Sequence, residues 1–249
     1  MTVRIVCRLD VKPPNLVKGI NLEGFRVMGR PADFTRRYYE SGIDEISYQD
    51  VVASLYGRNT LGDLVSETAN GVFIPMSVGG GIRGIEDIRH ILRSGADKVV
   101  INTGAIAVPG LVTQAAELFG SQAIVVAVEA IRHTDGWEAL TDSGREHTGV
   151  DAVNWIEQLA DLGAGEVLVT SVNKEGTRRG FDLDLISKAR GATELPLIAH
   201  GGAGCVDDVV RAARCGADAV AIASLLHYDI ATIGEVKEAL QANGFEVRR

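Results

Sequence analysis

The chain has 249 residues, 46% of them apolar, 29 glycines and a formal net charge of −8. That length suits one barrel of eight strand–helix units, or two smaller domains, while an acidic chain without a basic stripe or an aromatic-and-basic platform excludes nucleic acid as an expected partner. No apolar run approaches the length of about 18 that a membrane span requires, and Asp10 interrupts the start too early for a secretory signal, so a cytoplasmic protein is expected.

Short β-branched apolar runs predict buried parallel strands over residues 5–9, 45–48, 74–78, 98–101, 123–128, 166–170, 197–199 and 219–222. Between them, helical periodicity covers 85–93, 112–119, 152–162 and 206–214, several of these closed by glycine. Residues 74–106 match 195–226: Pro75 falls on Pro196, Gly80-Gly81 on Gly201-Gly202, and Gly95-Ala96-Asp97 on Gly216-Ala217-Asp218. The same offset takes Glu45 onto Glu166, and a nearly equal one takes Asp10 onto Glu129. A two-fold repeat of four strand–helix units favours closure, because a closed sheet leaves neither half with an edge. The expected fold is α/β: a single (β/α)8 barrel of the TIM type over residues 1–249, with half-barrels at about 1–121 and 122–249.

Ligands of such barrels sit at the C-terminal ends of the strands. Glycine clusters fall there in both halves: Gly79-Gly80-Gly81 with Asn102-Thr103 in the first, Gly201-Gly202 with Ala223-Ser224 in the second. Glycine turns let backbone N–H groups close on an anion, so two cradles at symmetric places predict a ligand with a phosphate at each end. Asp10 and Glu129 end the first and fifth strands and are the candidate acid and base; salt bridges to Lys12, Lys18 or Arg132 are the plainer reading. Asp50, Ser143, Thr170, Ser171, Asn173 and Glu175 fall beside the same mouth and can orient hydroxyls or serve as turn residues. Three cysteines without a C-x-x-C pair read as buried or half-buried thiols. His90, His133, His147, His200 and His227 show no ligand spacing, so neither a metal nor a cofactor is expected.

These residues resemble, over essentially the whole length, the cyclase subunit of imidazole glycerol phosphate synthase. The resemblance is carried by RLDVK with Val17-Lys18-Gly19 after it, YQDVVAS at 48–54, VGGGI at 78–82, GADKVVINT at 95–103, FGSQAIVVAVEA at 119–130, GAGEVLVTSV at 163–172, Gly176-Thr177 and HGGAG at 200–204. It implies that ammonia from a partner glutaminase crosses the barrel and attacks a bisphosphorylated ribulosyl-formimino intermediate, giving imidazole glycerol phosphate and an aminoimidazole carboxamide ribotide. Carried over, Asp10 and Glu129 are the acid/base pair, Lys18, Gly81, Asn102 and Thr103 face one phosphate, and Gly202, Ala223 and Ser224 face the other. Asp50, Ser143, Thr170 and Gly176 complete the expected substrate site. At the opposite face Arg4, Glu45, Lys98 and Glu166 match the family's ammonia gate, though a ring of ion pairs sealing the floor explains them on physical grounds alone. Asp97 and Gln122 match positions beside the glutaminase docking face.

The family pattern has aspartate where Glu129, Glu175 and Asn173 stand, serine where His200 stands, and an Asp-Gly turn in place of Pro13-Pro14. Those departures keep two further functions in view: a relative that delivers ammonia for amidination of a sugar in surface-polysaccharide synthesis, and a non-catalytic barrel that activates a glutaminase.

Overall fold

The computed structural model describes residues 2–53 and 61–248, so Ser54, the last residue of the 48–54 motif, lies outside the described residues. Eight parallel strands close into a barrel: β1 (Arg4–Lys12), β4 (Glu45–Asp50), β5 (Met76–Gly79), β6 (Lys98–Ile101), β7 (Ile124–His133), β10 (Glu166–Ser171), β11 (Leu197–His200) and β12 (Ala219–Ile222). The ring runs from β10 through β11, β12 and β1 to β7 and is completed by β7 pairing with β10. The strands fall where the apolar runs predict them, and the helices Ile85–Arg93 and Val206–Arg214 coincide with their predicted spans. Among the described residues, no helix is long and apolar enough to cross a membrane.

Four further strands escape the sequence reading. β2 (Asn15–Ile20) and β3 (Glu23–Gly29) form a hairpin antiparallel to β1, and β8 (Gly136–Thr141) and β9 (Glu146–Asp151) extend β7 in the same way. The two ribbons occupy corresponding places in the two halves. Their sequences are polar and weakly alternating because they bury little of either face: β3 and β9 contain no buried residue. Asp135-Gly136, a frequent hairpin signal, marks the second ribbon.

Alternation along each barrel strand separates two cores. One face packs outward beneath the helices, with Ile5, Leu9, Ile46, Tyr48, Ile124 and Val126 fully buried. The other points into the barrel, where Val6, Val100, Val125, Ala127, Leu168, Ile198, Ala219 and Ala221 form a narrow apolar plug. The helices after the glycine turns are capped alike: the Asp87 carboxylate accepts from the backbone N–H groups of Arg83 (2.9 Å) and Gly84 (3.2 Å), and Asp208 accepts from those of Gly204 (2.9 Å) and Cys205 (3.1 Å). Acidic residues at these starts satisfy orphan N–H groups and oppose the positive helix end. Cys7 is buried and Cys215 half-buried, but Cys205 is exposed, because it stands at a helix N-cap on the rim of the mouth.

Candidate active site

On β1, residues 4, 6, 8 and 10 share the inward face, so one strand presents Arg4 to the floor, Val6 to the plug and Arg8 and Asp10 to the mouth. Arg8 is the member that the sequence reading misses. It is 3% exposed, and its Nε donates to Asp10 Oδ1 at 2.8 Å. Its Nη1 lies 3.4 Å from His200 Nδ1, and His200 Nδ1 lies 3.1 Å from the Thr170 hydroxyl. An arginine two residues from Asp10 and four from Arg4 in an otherwise apolar strand is the signal that would have found it, since period two puts all three inside the barrel.

Asp10 and Glu129 are both buried, yet their surroundings drive them apart. Burial alone would favour the neutral acid at Asp10, but the Arg8 guanidinium, with Lys18 Nζ 3.7 Å away, outweighs it and holds the carboxyl down at about 2. Among the described residues, Glu129 has no comparable partner. Burial raises it to about 7; Arg8 and the Gly144 backbone N–H pull it back only in part, and the Asp10 charge pushes it further up. Asp10 Oδ2 and Glu129 Oε2, both on inward-facing positions, are buried without a hydrogen-bond partner among the described residues. His200 is kept neutral by burial and by the adjacent Arg8.

The first glycine cradle opens beside Glu129. Gly81, Asn102, Thr103, Asp50 and Ser143 line one cleft with Arg8 and Glu129. Gly80 has φ of +108°, and a Cβ there would stand 2.4 Å from the Asp50 carbonyl oxygen, so the turn admits only glycine. Asn102 Nδ2 donates to the carbonyls of Ala127 and Leu140, both at 3.2 Å, and Thr103 Oγ1 accepts from Asp142 N at 3.0 Å. Ser143 Oγ donates to Val51 O at 3.1 Å, so the tip of the β8–β9 ribbon folds over this cleft and touches the β4 end.

The second cleft is lined by Gly176, Gly202, Ala223 and Ser224, together with Lys18 and His200. At Gly202, with φ of +114°, a Cβ would lie 2.2 Å from Gly180 O. Lys18 therefore stands with the second cradle and not, as the resemblance implies, with the first. The reason is topological: β2 runs back along β1 with Val17 opposite Asp10, and β1 neighbours β12, whose end carries Ala223 and Ser224. Lys18 Nζ pairs closely with Glu175 and donates to Gly19 O at 3.2 Å. Glu175 Oε2 also accepts from Leu22 N at 2.9 Å, which ties the β2–β3 turn to the loop after β10. Asn173 Oδ1 accepts from Arg132 N at 2.7 Å and so braces β7 beyond Glu129.

At the floor, Arg4 contacts Glu45 at 2.5 Å and Glu166 at 3.2 Å, and Lys98 contacts Glu45 at 3.5 Å and Glu166 at 2.8 Å. The four charges form a closed ring beneath an interior cavity that runs past Ser47, Ser77 and Leu168 up to Arg8. Arg8 lines this cavity and the first cleft alike, so it separates the barrel interior from the mouth. Asp97 and Gln122 lie at the floor end of β6 and β7; Asp97 Oδ2 accepts from Met76 N at 2.8 Å, and Gln122 Nε2 donates to Phe119 O at 3.3 Å.

A two-fold (β/α)8 barrel with paired glycine turns at its mouth and a charged ring at its floor is thus the class that fold and site define. Residues 4–232 match the family described as histidine biosynthesis protein, and the chain belongs to that family. It is 51% identical to the imidazole glycerol phosphate synthase subunit HisF of Legionella pneumophila over 83% of this chain and 98% of the relative. The HisF subunits of Beutenbergia cavernae and Mycobacteroides abscessus are 48% and 46% identical, each over the full length of this chain and 99% of the relative.

Proposed function

We infer that the chain is the cyclase subunit of imidazole glycerol phosphate synthase in histidine biosynthesis, acting in the cytoplasm on the bisphosphorylated ribulosyl-formimino intermediate with ammonia from a glutaminase with which it forms a heterodimer. The observation that carries the site assignment is the pair of buried carboxylates between two glycine cradles, one held ionised by Arg8 and the other poised near neutrality.

The roles follow from those environments. Asp10 stays a carboxylate at any physiological pH and stabilises positive charge developing on the attacking nitrogen. Glu129, able to hold or release a proton near pH 7, moves protons during ring closure and cleavage; a positioned group of matched pKa contributes about 10²–10⁴-fold. Gly81, Asn102 and Thr103 hold one phosphate and Gly202, Ala223 and Ser224 the other, with Lys18 at this second end once ligand draws it from Glu175. Asp50, Ser143, Thr170 and Gly176 shape the space between. Ammonia enters through the ring of Arg4, Glu45, Lys98 and Glu166, and the glutaminase docks over Asp97 and Gln122. No metal or cofactor enters this chemistry.

The test is rescue of a histidine auxotroph lacking its own cyclase subunit but retaining its glutaminase. Growth without histidine is expected, and it should be lost on Asp10→Asn. Failure to grow, with the protein expressed and folded, would count against the reading and in favour of sugar amidination, for which Glu129 and His200 at the mouth are the specific motive.

A further inference from the structure

The ribbon that extends β7 carries a cluster that no step of the proposed chemistry uses. His133 near the end of β7, Glu138 on β8 and His147 on β9 bring one ligand-type atom each to within 4.8 Å of one another. His133 Nε2 lies 2.9 Å and His147 Nδ1 2.8 Å from the same oxygen, Glu138 Oε2. We propose that His133, Glu138 and His147 form a binding site for a divalent transition-metal ion of the Zn2+ type, peripheral to the mouth.

The backbone builds this site. Strand pairing sets Ile131 opposite Glu138 and Leu140 opposite His147, so both histidines are diagonal neighbours of Glu138 on one face of the ribbon, within reach of long side chains. A register shift between Ala139 and Leu140, with Gly149 at φ of +71°, turns the β9 backbone toward Glu138. As a result Thr148 N and Gly149 N both donate to Oε1, at 2.9 and 2.8 Å. One carboxylate oxygen is thus fixed by two backbone amides, the kind of outer support that orients a metal-binding carboxylate, and the other is aimed between the imidazoles.

The donor set selects the ion. Two imidazoles and one carboxylate, with the fourth position open to solvent, suit Zn2+ with a bound water, and the absence of a thiolate among the three disfavours softer ions. A tetrahedral ion with nitrogen and oxygen donors about 2.1 Å away spaces them about 3.4 Å apart. The two nitrogens would therefore move outward from Oε2 by about half an ångström. The side chains are free to do so: His133 is 51% and His147 59% exposed, whereas Glu138, at 15%, stays fixed. A bound ion would tie together three strands of the ribbon whose barrel end carries Glu129 and whose β8–β9 turn covers the first cleft, and so would stiffen both. The spacing is invisible to a one-dimensional motif search because each ligand lies on a different strand.

The experiment is calorimetric titration of the full-length protein, freed of metal by chelation, with Zn2+, alongside Glu138→Gln, the double variant His133→Ala/His147→Ala, and Cys205→Ser as a control for the exposed thiol. The expected result is one saturable site, unchanged in C205S and weakened at least ~100-fold in E138Q and in the double variant, beyond the cost of losing a supporting partner. Should E138Q disturb the ribbon, His147→Ala alone, at an exposed side chain, gives the same readout. Absence of saturable binding, or binding kept by the double variant and lost in C205S, overturns the proposal. Neither result depends on turnover of any substrate, so the cyclase reading stands or falls separately.

Discussion

Arg8 decides what the two carboxylates can do, and its effect reaches stability as well as chemistry. Asp10, lowered from 3.8 to about 2, contributes stability that is fully present above pH 4 and is lost as the pH falls toward 2; the shift corresponds to about 2 kcal/mol. Glu129 works in the opposite direction. Raised from 4.5 to about 7, it is protonated in the folded chain while already ionised in the unfolded one, so stability falls by about 3 kcal/mol as the pH climbs from 4.5 to 7 and is level above that. Glu129→Gln should remove this decline: urea unfolding is expected to find the variant close to the parent at pH 4 and clearly more stable at pH 8, with activity down at least ~100-fold. A variant no more stable at pH 8 would contradict the assigned titration. Arg8→Met removes the hydrogen-bonded counter-ion of the buried Asp10 carboxylate, leaves only Lys18 beside it, and should cost up to about 3–5 kcal/mol in the same measurement. The sequence made both carboxylates legible through the repeat, whereas Arg8 was hidden because nothing in the second half mirrors it; Ala127 stands at the corresponding place before Glu129.

The elements that vary most from the sequence reading are the two ribbons, and they cover the site. Leu22 at the β2–β3 turn is 1% exposed and packs with Leu140 and Val172, while a Cβ on Gly144, at the β8–β9 turn, would stand 2.9 Å from the Leu22 side chain. The turns thus meet above the loop that follows β10. Leu22→Ala should cost about 2–4 kcal/mol and speed amide exchange at residues 20–23 and 142–145 while leaving the barrel strands protected. Uniform acceleration across the chain would show that the turns do not open independently. Barrel strands and capped helices were legible because burial imposes a strong pattern on them. The ribbons were not, because half-exposed strands carry little pattern and their place depends on the barrel strand they extend.

At the scale of the whole molecule, the two-fold repeat accounts for the paired cradles, the paired helix caps and the ribbons at corresponding places, and the floor ring joins Glu45 to its repeat partner Glu166 through Arg4 and Lys98. The halves then diverge where chemistry needs asymmetry: Asp10 has an arginine and a lysine as close counter-ions, while among the described residues no cation forms a salt bridge with Glu129, Arg8 and Arg145 acting on it only through space. The repeat could announce a symmetric mouth but not this difference, which arises from side chains contributed by neighbouring strands. The measurement that tests the central claim most directly is turnover of the bisphosphorylated ribulosyl-formimino intermediate by the isolated chain with ammonium salt, which bypasses any need for a glutaminase. Formation of imidazole glycerol phosphate and the aminoimidazole carboxamide ribotide, abolished by Asp10→Asn, is the predicted result; no product at saturating ammonium from a folded protein would contradict it.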